Sequence, residues 1–120
     1  MQLETASGSS CDSVTEADLV SLFDREWGAD EFAILAQEGE VYIQAAGEGD
    51  GPYVLEYRDG DEGSHFECAR TLSKAEVRSA FMKYLKGDGS WKSDFEWTRQ
   101  GFGSGKPWWK SLLDLLGIKI

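Results

Sequence analysis

The stretch from residue 53 to residue 97 constrains the fold most, because alternating segments, a Gly-rich turn and a capped helix follow one another there. Residues 53–58 alternate, so their side chains divide between the two faces of an extended chain. Residues 59–63, Asp-Gly-Asp-Glu-Gly, have the glycines and short acidic residues that tight turns favour. Because residues 64–70 alternate again, the sequence predicts a β-hairpin.

A helix with clear ends follows this hairpin. Ser73 and Glu76 have the spacing of a capping box, and Gly87 suits the residue that ends a helix. These signals predict a helix over 74–86. Because a hairpin alone is marginally stable in water, we expect the apolar side of this helix to cover one face of the sheet. That apolar stripe consists of Val77, Ala80, Phe81, Tyr84 and Leu85.

Two further strands and a first helix precede the hairpin. Thr15 and Asp18 repeat the capping-box spacing, which predicts a helix over 16–27. Residues 32–37 form a short apolar run, and residues 41–46 alternate. Four consecutive strands with short connections are typical of an antiparallel meander.

The predicted fold class is α+β, in a single domain. Its elements are an N-terminal helix, a four-stranded antiparallel meander, a helix packed on the sheet, a short extended segment and a C-terminal amphipathic helix. The extended segment, residues 91–97, alternates at its end and is either a short fifth strand or an extended strap. Along the chain we expect a flexible N-terminus at 1–12, a single α+β domain at 13–98, a Gly-rich linker at 99–106 and a C-terminal helical tail at 107–120.

The core can be predicted only in part, because both faces of the strands are fairly apolar. Ala33, Leu35 and Val54 interrupt the alternation, so the identity of the buried face stays open at this point. Beyond the helical stripe, the expected core residues are Leu22, Phe23, Ile34, Ile43, Leu55, Tyr57 and Phe66.

The charge is unevenly distributed along the chain. The net charge is −10. Residues 1–67 hold 17 acidic and 2 basic residues and are −15, whereas residues 68–120 hold 5 acidic and 10 basic residues and are +5. A negative surface repels phosphate and attracts a basic protein, which favours a basic partner over nucleic acid. The other interpretation is that the acids only keep the protein in solution.

Motifs for cofactors and metals are weak. In the string GFGSGK, the positions that a phosphate loop needs as Gly and as Ser or Thr are Gln100 and Pro107. Asp59 and Asp61 have the first spacing of an EF-hand loop, but its twelfth position is Arg70. We therefore predict no cofactor and no metal.

Residues that could carry catalysis are few. His65 is the only histidine, and its spacing from Cys68 places the two side chains on opposite faces of a strand. A hydrolase that uses His65 with Glu56 or Glu67 remains an alternative, because a hairpin can bring these residues onto one face. The preferred interpretation is a surface histidine paired with a carboxylate, and hence no enzyme.

The expected location is the cytoplasm. Residues 1–10 have neither a basic segment nor an apolar segment of the kind that signal peptides need. No stretch approaches the ~20 apolar residues that span a bilayer. Cys11 and Cys68 lack metal-site spacing and are expected to be free thiols, with a single disulfide as the alternative.

The apolar tail is expected to bury its surface against protein. Paired tryptophans beside leucines can insert into a membrane interface or into the groove of a partner. Few basic residues and Asp114 argue against a membrane. Docking on its own domain and homodimer formation through the C-terminal helix both stay open. The residues expected to make the contact are Trp108, Trp109, Leu112 and Leu116.

One resemblance bears on function. The segment VLEYRDGDEGSHFE, the capped helix that ends in YLKGDGSW and the following FEW resemble small bacterial immunity proteins of polymorphic toxin systems. The shared features lie in residues 31–97 and are an acidic hairpin turn, a following helix, a Gly-Asp break and a late Trp. The resemblance implies a protein that binds and blocks a toxin without catalysis, and it carries over no active-site residue.

The expected function is therefore non-enzymatic protein binding, with a basic protein such as a toxin as the partner. A chaperone for a secreted protein and the small hydrolase centred on His65 are the alternatives. A pocket with a buried His65 beside a carboxylate would favour the hydrolase, and an open acidic face would favour the binding protein. The expected recognition residues are Tyr42, Gln44, Asp50, Glu56, Arg58, Asp59, Asp61, Glu62, His65 and Glu67.

Overall fold

The computed structural model describes residues 1–6, 10–29, 31–38, 41–60 and 64–99. The strands in these ranges are β1 (Gln2–Thr5), β2 (Ser10–Cys11), β3 (Phe32–Glu38), β4 (Val41–Gly47), β5 (Tyr53–Asp59), β6 (His65–Cys68) and β7 (Trp97–Arg99). The helices are α1 (Glu16–Asp24), α2 (Lys74–Lys86) and α3 (Ser90–Ser93). The protein is therefore of the α+β class, as predicted.

The described strands form one antiparallel sheet with the order β2-β1-β3-β4-β5-β6-β7. Its centre, from β3 to β6, is the predicted meander. The longest ladder joins β4 to β5, from Val41 opposite Asp59 to Gly47 opposite Tyr53. The prediction of four strands is nevertheless wrong, because β1, β2 and β7 extend the sheet at both edges.

The N-terminal residues form part of the sheet, whereas the sequence predicted a flexible end at 1–12. β1 pairs with β3 from Gln2 opposite Ala36 to Thr5 opposite Ala33. Leu3 and Thr5 are buried. A four-residue strand with a single clearly apolar residue has almost no detectable alternation, so its hydrogen bonds to the edge of β3 could not be foreseen.

The segment 91–97, predicted to be a short fifth strand or an extended strap, contains a short helix before the chain joins the sheet as β7. The α3 helix closes with a hydrogen bond from the Asp94 amide to the Ser90 carbonyl. β7 then pairs with β6, with Trp97 opposite Cys68. Cys68 is a buried free thiol. The described sheet thus extends to Arg99, the first residue of the predicted linker.

The α1 helix has the predicted start but ends three residues early. The Thr15 side chain accepts from the Asp18 amide, and the Asp18 side chain accepts from the Thr15 amide, so the capping box is complete. Residue Arg25 is already extended. Trp27 is buried from the following loop, stacks on Phe23 at 5.4 Å and donates its indole hydrogen to the Leu22 carbonyl.

The α2 helix matches its prediction at both ends. Ser73 and Glu76 form both bonds of the capping box, and Gly87 ends the helix in the left-handed region at φ 74°. The left-handed conformation favours glycine because it has no Cβ atom. Four residues of the stripe are buried, and Leu85 is half-buried.

Removing the α2 cap should destabilise the protein by a modest amount. We expect Ser73→Ala to lower the free energy of unfolding by about 1 kcal/mol, because the Glu76 amide loses its acceptor. Ser79→Ala is the matched control, since Ser79 is exposed within the same helix. Urea unfolding measures both variants. An equal effect of the two substitutions would contradict a stabilising role for the cap.

The core lies between α1, α2 and α3 and the face of the sheet that carries Tyr53, Leu55 and Tyr57. Contacts at this layer include Trp27 with Tyr53 at 5.3 Å and Trp91 with Tyr57 at 4.9 Å. The remaining predicted core residues lie in or against this cluster, with one exception. That exception is Ile34, which is half-buried on the other face.

The prediction that Ile34 belongs to the core is wrong because of the register between β3 and β4. Leu35, and not Ile34, lies opposite the buried Ile43, so Ala33 and Leu35 are the residues that β3 contributes to the core. Hydrophobicity alone could not distinguish these positions, because every residue from 32 to 36 is apolar.

Several predictions lie outside the described residues. They are the C-terminal helix at 107–120, its contacts, most of the Gly-rich linker, and the placement of Asp61 and Glu62. Among the described residues, none of the helices combines the length and the apolar character that crossing a membrane requires.

Candidate functional site

The polar face of the sheet, which is turned away from the helices, collects six of the predicted recognition residues. Cross-strand pairing aligns them in two rows on neighbouring strands. One row consists of Gln44, Glu56 and Glu67, and the other consists of Tyr42, Arg58 and His65. The grouping on one face therefore agrees with the alternation in the sequence, and we use the name polar face for these six residues.

The centre of the polar face is buried. Glu56 is 0% exposed, Gln44 is 2% exposed and His65 is 9% exposed. The prediction of a surface histidine is therefore wrong. Alternation assigns a side chain to a face, but it does not show how deeply that face is covered, which is why sequence reasoning missed this burial.

Burial changes the chemistry of Glu56. It raises the pKa of this carboxyl from 4.5 to about 10, the charge of Glu67 adds to the increase, and the Gln44 amide opposes it. Glu56 is therefore a neutral acid at pH 7. Among the described residues, neither of its oxygens nor the Gln44 Nε2 atom has a hydrogen-bond partner of normal geometry. A buried acid in this state destabilises the fold and persists because the surrounding sheet holds it.

His65 lies beside this acid. Its Nε2 atom is 3.5 Å from Oε1 of Glu56. Burial lowers the pKa of His65, and the nearby Arg58 charge lowers it further, so the imidazole is neutral at pH 7. The two groups are thus a neutral acid beside a neutral base, and not an ion pair. Proton transfer to a substrate would require this buried pair to become accessible.

Acidic residues lie at both ends of β5, as the meander predicts. Asp50 is exposed in the loop before β5, and Asp59 is exposed at its end. Glu38 lies at the same end of the sheet as Asp59, because Val41 is paired with both. In the sequence, Glu40 follows soon after Glu38, and Asp61 and Glu62 follow soon after Asp59. Glu38 and Asp59 therefore mark one end of the sheet, which we call the acidic end, and Asp50 lies at the opposite end of β5.

Basic residues of the described chain are largely engaged in internal ion pairs. Three pairs join the basic C-terminal part of the sequence to its acidic N-terminal part. They therefore neutralise some of the negative charge of the N-terminal part. They are Arg78 with Asp24, Lys86 with Glu16, and Lys92 with Asp59. Three further pairs are Arg25 with Glu31, Arg70 with Glu76, and Lys83 with Asp94. The exposed acids Glu38, Glu48 and Asp50 belong to none of these six pairs.

A cleft of about 200 Å³ opens beside the acidic end. Aromatic residues from β5, α2 and α3 line it together with the charged Asp59 and Lys92, so we call it the aromatic cleft. Its lining residues used below are Tyr57, Arg58, Asp59, Tyr84, Trp91 and Lys92. Sequence reasoning missed it, because these residues come from separate elements. The available signal was the position of Trp91, a few residues after the end of a capped helix.

Within the described ranges, no three His, Cys, Asp or Glu side chains are grouped so that they could hold a metal ion. No protein-family model, no curated protein and no solved structure matches the chain. The resemblance to immunity proteins therefore stays a prediction.

Proposed function

We propose that this protein is a non-enzymatic, acidic protein-binding module that recognises a basic protein. The observation that supports it is that the exposed acids Glu38 and Asp59 lie at one end of the sheet and are followed by further acids in the sequence. Most described basic residues, by contrast, are held in internal ion pairs. A basic partner would meet a mainly negative field there, in which acids outnumber the nearby Arg58 and Lys92. Such a field raises association rate and specificity more than final affinity.

The partner class that we favour is a basic toxin, with this protein as its immunity protein. The resemblance of residues 31–97 to immunity proteins supports this choice, and it implies that binding blocks the toxin. A chaperone for a secreted protein would also bind a partner through an acidic surface. The two roles differ in timing, since a chaperone acts while its client folds or is exported, whereas an immunity protein inhibits a folded toxin.

The hydrolase alternative has one specific observation in its favour, which is the 3.5 Å approach of His65 to Glu56. Against it, Glu56 is fully buried and therefore cannot contact a substrate in this conformation. The aromatic cleft does not include either residue. For these reasons the binding function ranks first.

Charge reversal at the acidic end should slow association. We expect the triple variant Asp59→Lys, Asp61→Lys, Glu62→Lys to associate roughly tenfold more slowly with the protein encoded by the neighbouring gene, because long-range attraction is lost. The control reverses three exposed acids elsewhere, Glu4, Asp12 and Glu96, and changes the net charge equally. Stopped-flow mixing measures both rates. Equal slowing in the two variants would mean that only net charge matters and would contradict recognition by the acidic end.

The order of addition separates the two binding roles. For an immunity protein, purified protein added to the purified, folded partner removes the partner's activity in a stoichiometric complex. For a chaperone, the same addition leaves that activity unchanged, and only co-expression improves the yield of folded partner.

A further inference from the structure

The aromatic cleft contains a buried polar group without a partner. Tyr84 is 5% exposed and lines the cleft, and its hydroxyl makes no hydrogen bond within the described part of the chain. Burial raises the pKa of Tyr84 to about 12, with Asp59 adding to the increase, so this phenol stays neutral. An unsatisfied buried hydroxyl is uncommon, and a ligand in the cleft would satisfy it.

The field in the cleft favours a positive charge. Burial raises the pKa of Tyr57 as well as that of Tyr84, and the carboxylate of Asp59 adds to both increases, so Asp59 contributes a negative potential at both phenols. The α2 helix also ends at the cleft, with Gly87 in its lining, and the carbonyl end of a helix attracts cations. Two cations, Arg58 and Lys92, line the cleft too.

Lys92 shows how a cation is held at this place. Its Nζ atom lies 5.1 Å from the ring centre of Tyr57, 5.5 Å from that of Trp91 and 3.6 Å from a carboxylate oxygen of Asp59. The Lys92 side chain is 46% exposed, and exposed ion pairs contribute little to stability. Another cation could therefore replace the Lys92 ammonium at small cost.

We propose that the aromatic cleft receives one arginine side chain of the basic partner, whose guanidinium takes the place of Lys92 beside Tyr57, Trp91 and Asp59. A guanidinium stacks on aromatic rings and has several donors in one plane, so it can pair with Asp59 and donate to the Tyr84 hydroxyl oxygen together. This inference rests on the proposed function and deepens it, because the cleft supplies an anchor pocket next to the acidic end.

The test uses n-butylguanidinium as the probe and the full chain. Titration followed by amide NMR shifts should show saturable changes around residues 84–92. We expect n-butylurea, which lacks the charge, and butyrate, which has the opposite charge, to bind more weakly by a factor of roughly ten. Equal shifts with n-butylurea, stronger shifts with butyrate, or shifts that do not saturate would overturn the proposal.

Three substitutions make the test specific. Asp59→Asn should weaken binding of n-butylguanidinium by roughly three- to tenfold, whereas Asp24→Asn, an exposed carboxylate on α1, should leave it unchanged. Lys92→Ala should strengthen it, because the internal cation no longer competes. Weaker n-butylguanidinium binding in Lys92→Ala would contradict the proposal. The n-butylguanidinium titration needs no protein partner. A negative titration would therefore rule out the arginine pocket without affecting the charge-reversal experiment, and a negative charge-reversal experiment would not affect the titration.

Discussion

Phe81→Ala is expected to lower the free energy of unfolding by about 3–5 kcal/mol, because it removes a large side chain from a site that cannot readily collapse. Phe81 is 0% exposed and meets the ring of Phe23 edge to face at 5.3 Å. It therefore joins α2 to α1 over the sheet. Urea unfolding of the full chain measures the loss.

Comparison within the α2 stripe checks its orientation. Leu85→Ala should cost less than Phe81→Ala, because Leu85 is only half-buried. Ser73→Ala provides a second comparison at about 1 kcal/mol. If Phe81→Ala costs less than Ser73→Ala, the buried side of α2 has been assigned incorrectly.

Glu56→Gln is expected to stabilise the protein above neutral pH, by an amount that grows with pH. The folded-state pKa of Glu56 is about 10 and its ordinary value is 4.5. Between these values the unfolded chain is ionised while the folded chain keeps the proton. The folded state binds more protons, so stability falls as pH rises, by up to about 1.4 kcal/mol per pH unit. Glutamine has the same shape and removes this titration.

Unfolding measured between pH 7 and pH 9 isolates this effect. His65, whose pKa is lowered from 6.5, is mostly neutral in both states there. The raised pKa values of Tyr53, Tyr57 and Tyr84 act mainly near and above pH 10. The wild type should lose stability across this window, and Glu56→Gln should lose less. Glu4→Gln, at an exposed position, should retain the wild-type slope. Equal slopes in all three proteins would show that Glu56 ionises in the folded state.

Secondary structure was predictable where local chemistry determines it. Both capping boxes and the left-handed Gly87 identified the helices, because these signals depend on neighbouring residues alone. The strands β3 to β6 followed from alternation and short turns. β1 and β2 have four and two residues, and their pairing has no local signature. The alternation that ends at Trp97 indicated a possible strand, but it could not show the pairing of β7 with β6.

The sequence predicted which residues of the candidate site share a face of the sheet, but it did not predict how deeply they are buried. Alternation placed Gln44, Glu56 and His65 on one face, which the pairing of the strands matches. Their burial, and the neutral state of Glu56 that follows from it, depend on what surrounds the sheet. The aromatic cleft joins residues as distant in sequence as Tyr57 and Lys92, so only the tertiary fold brings them together.

The association rate of the wild-type protein with the product of the neighbouring gene, measured over a range of salt concentrations, tests the central claim most directly. Recognition of a basic protein by the acidic end predicts fast association at low salt, because opposite charges attract over about 10 Å at 0.1 M ionic strength. Added salt should slow the wild type toward the rate of the Asp59, Asp61 and Glu62 charge-reversal variant. An association rate that changes neither with salt nor with charge reversal would contradict the claim.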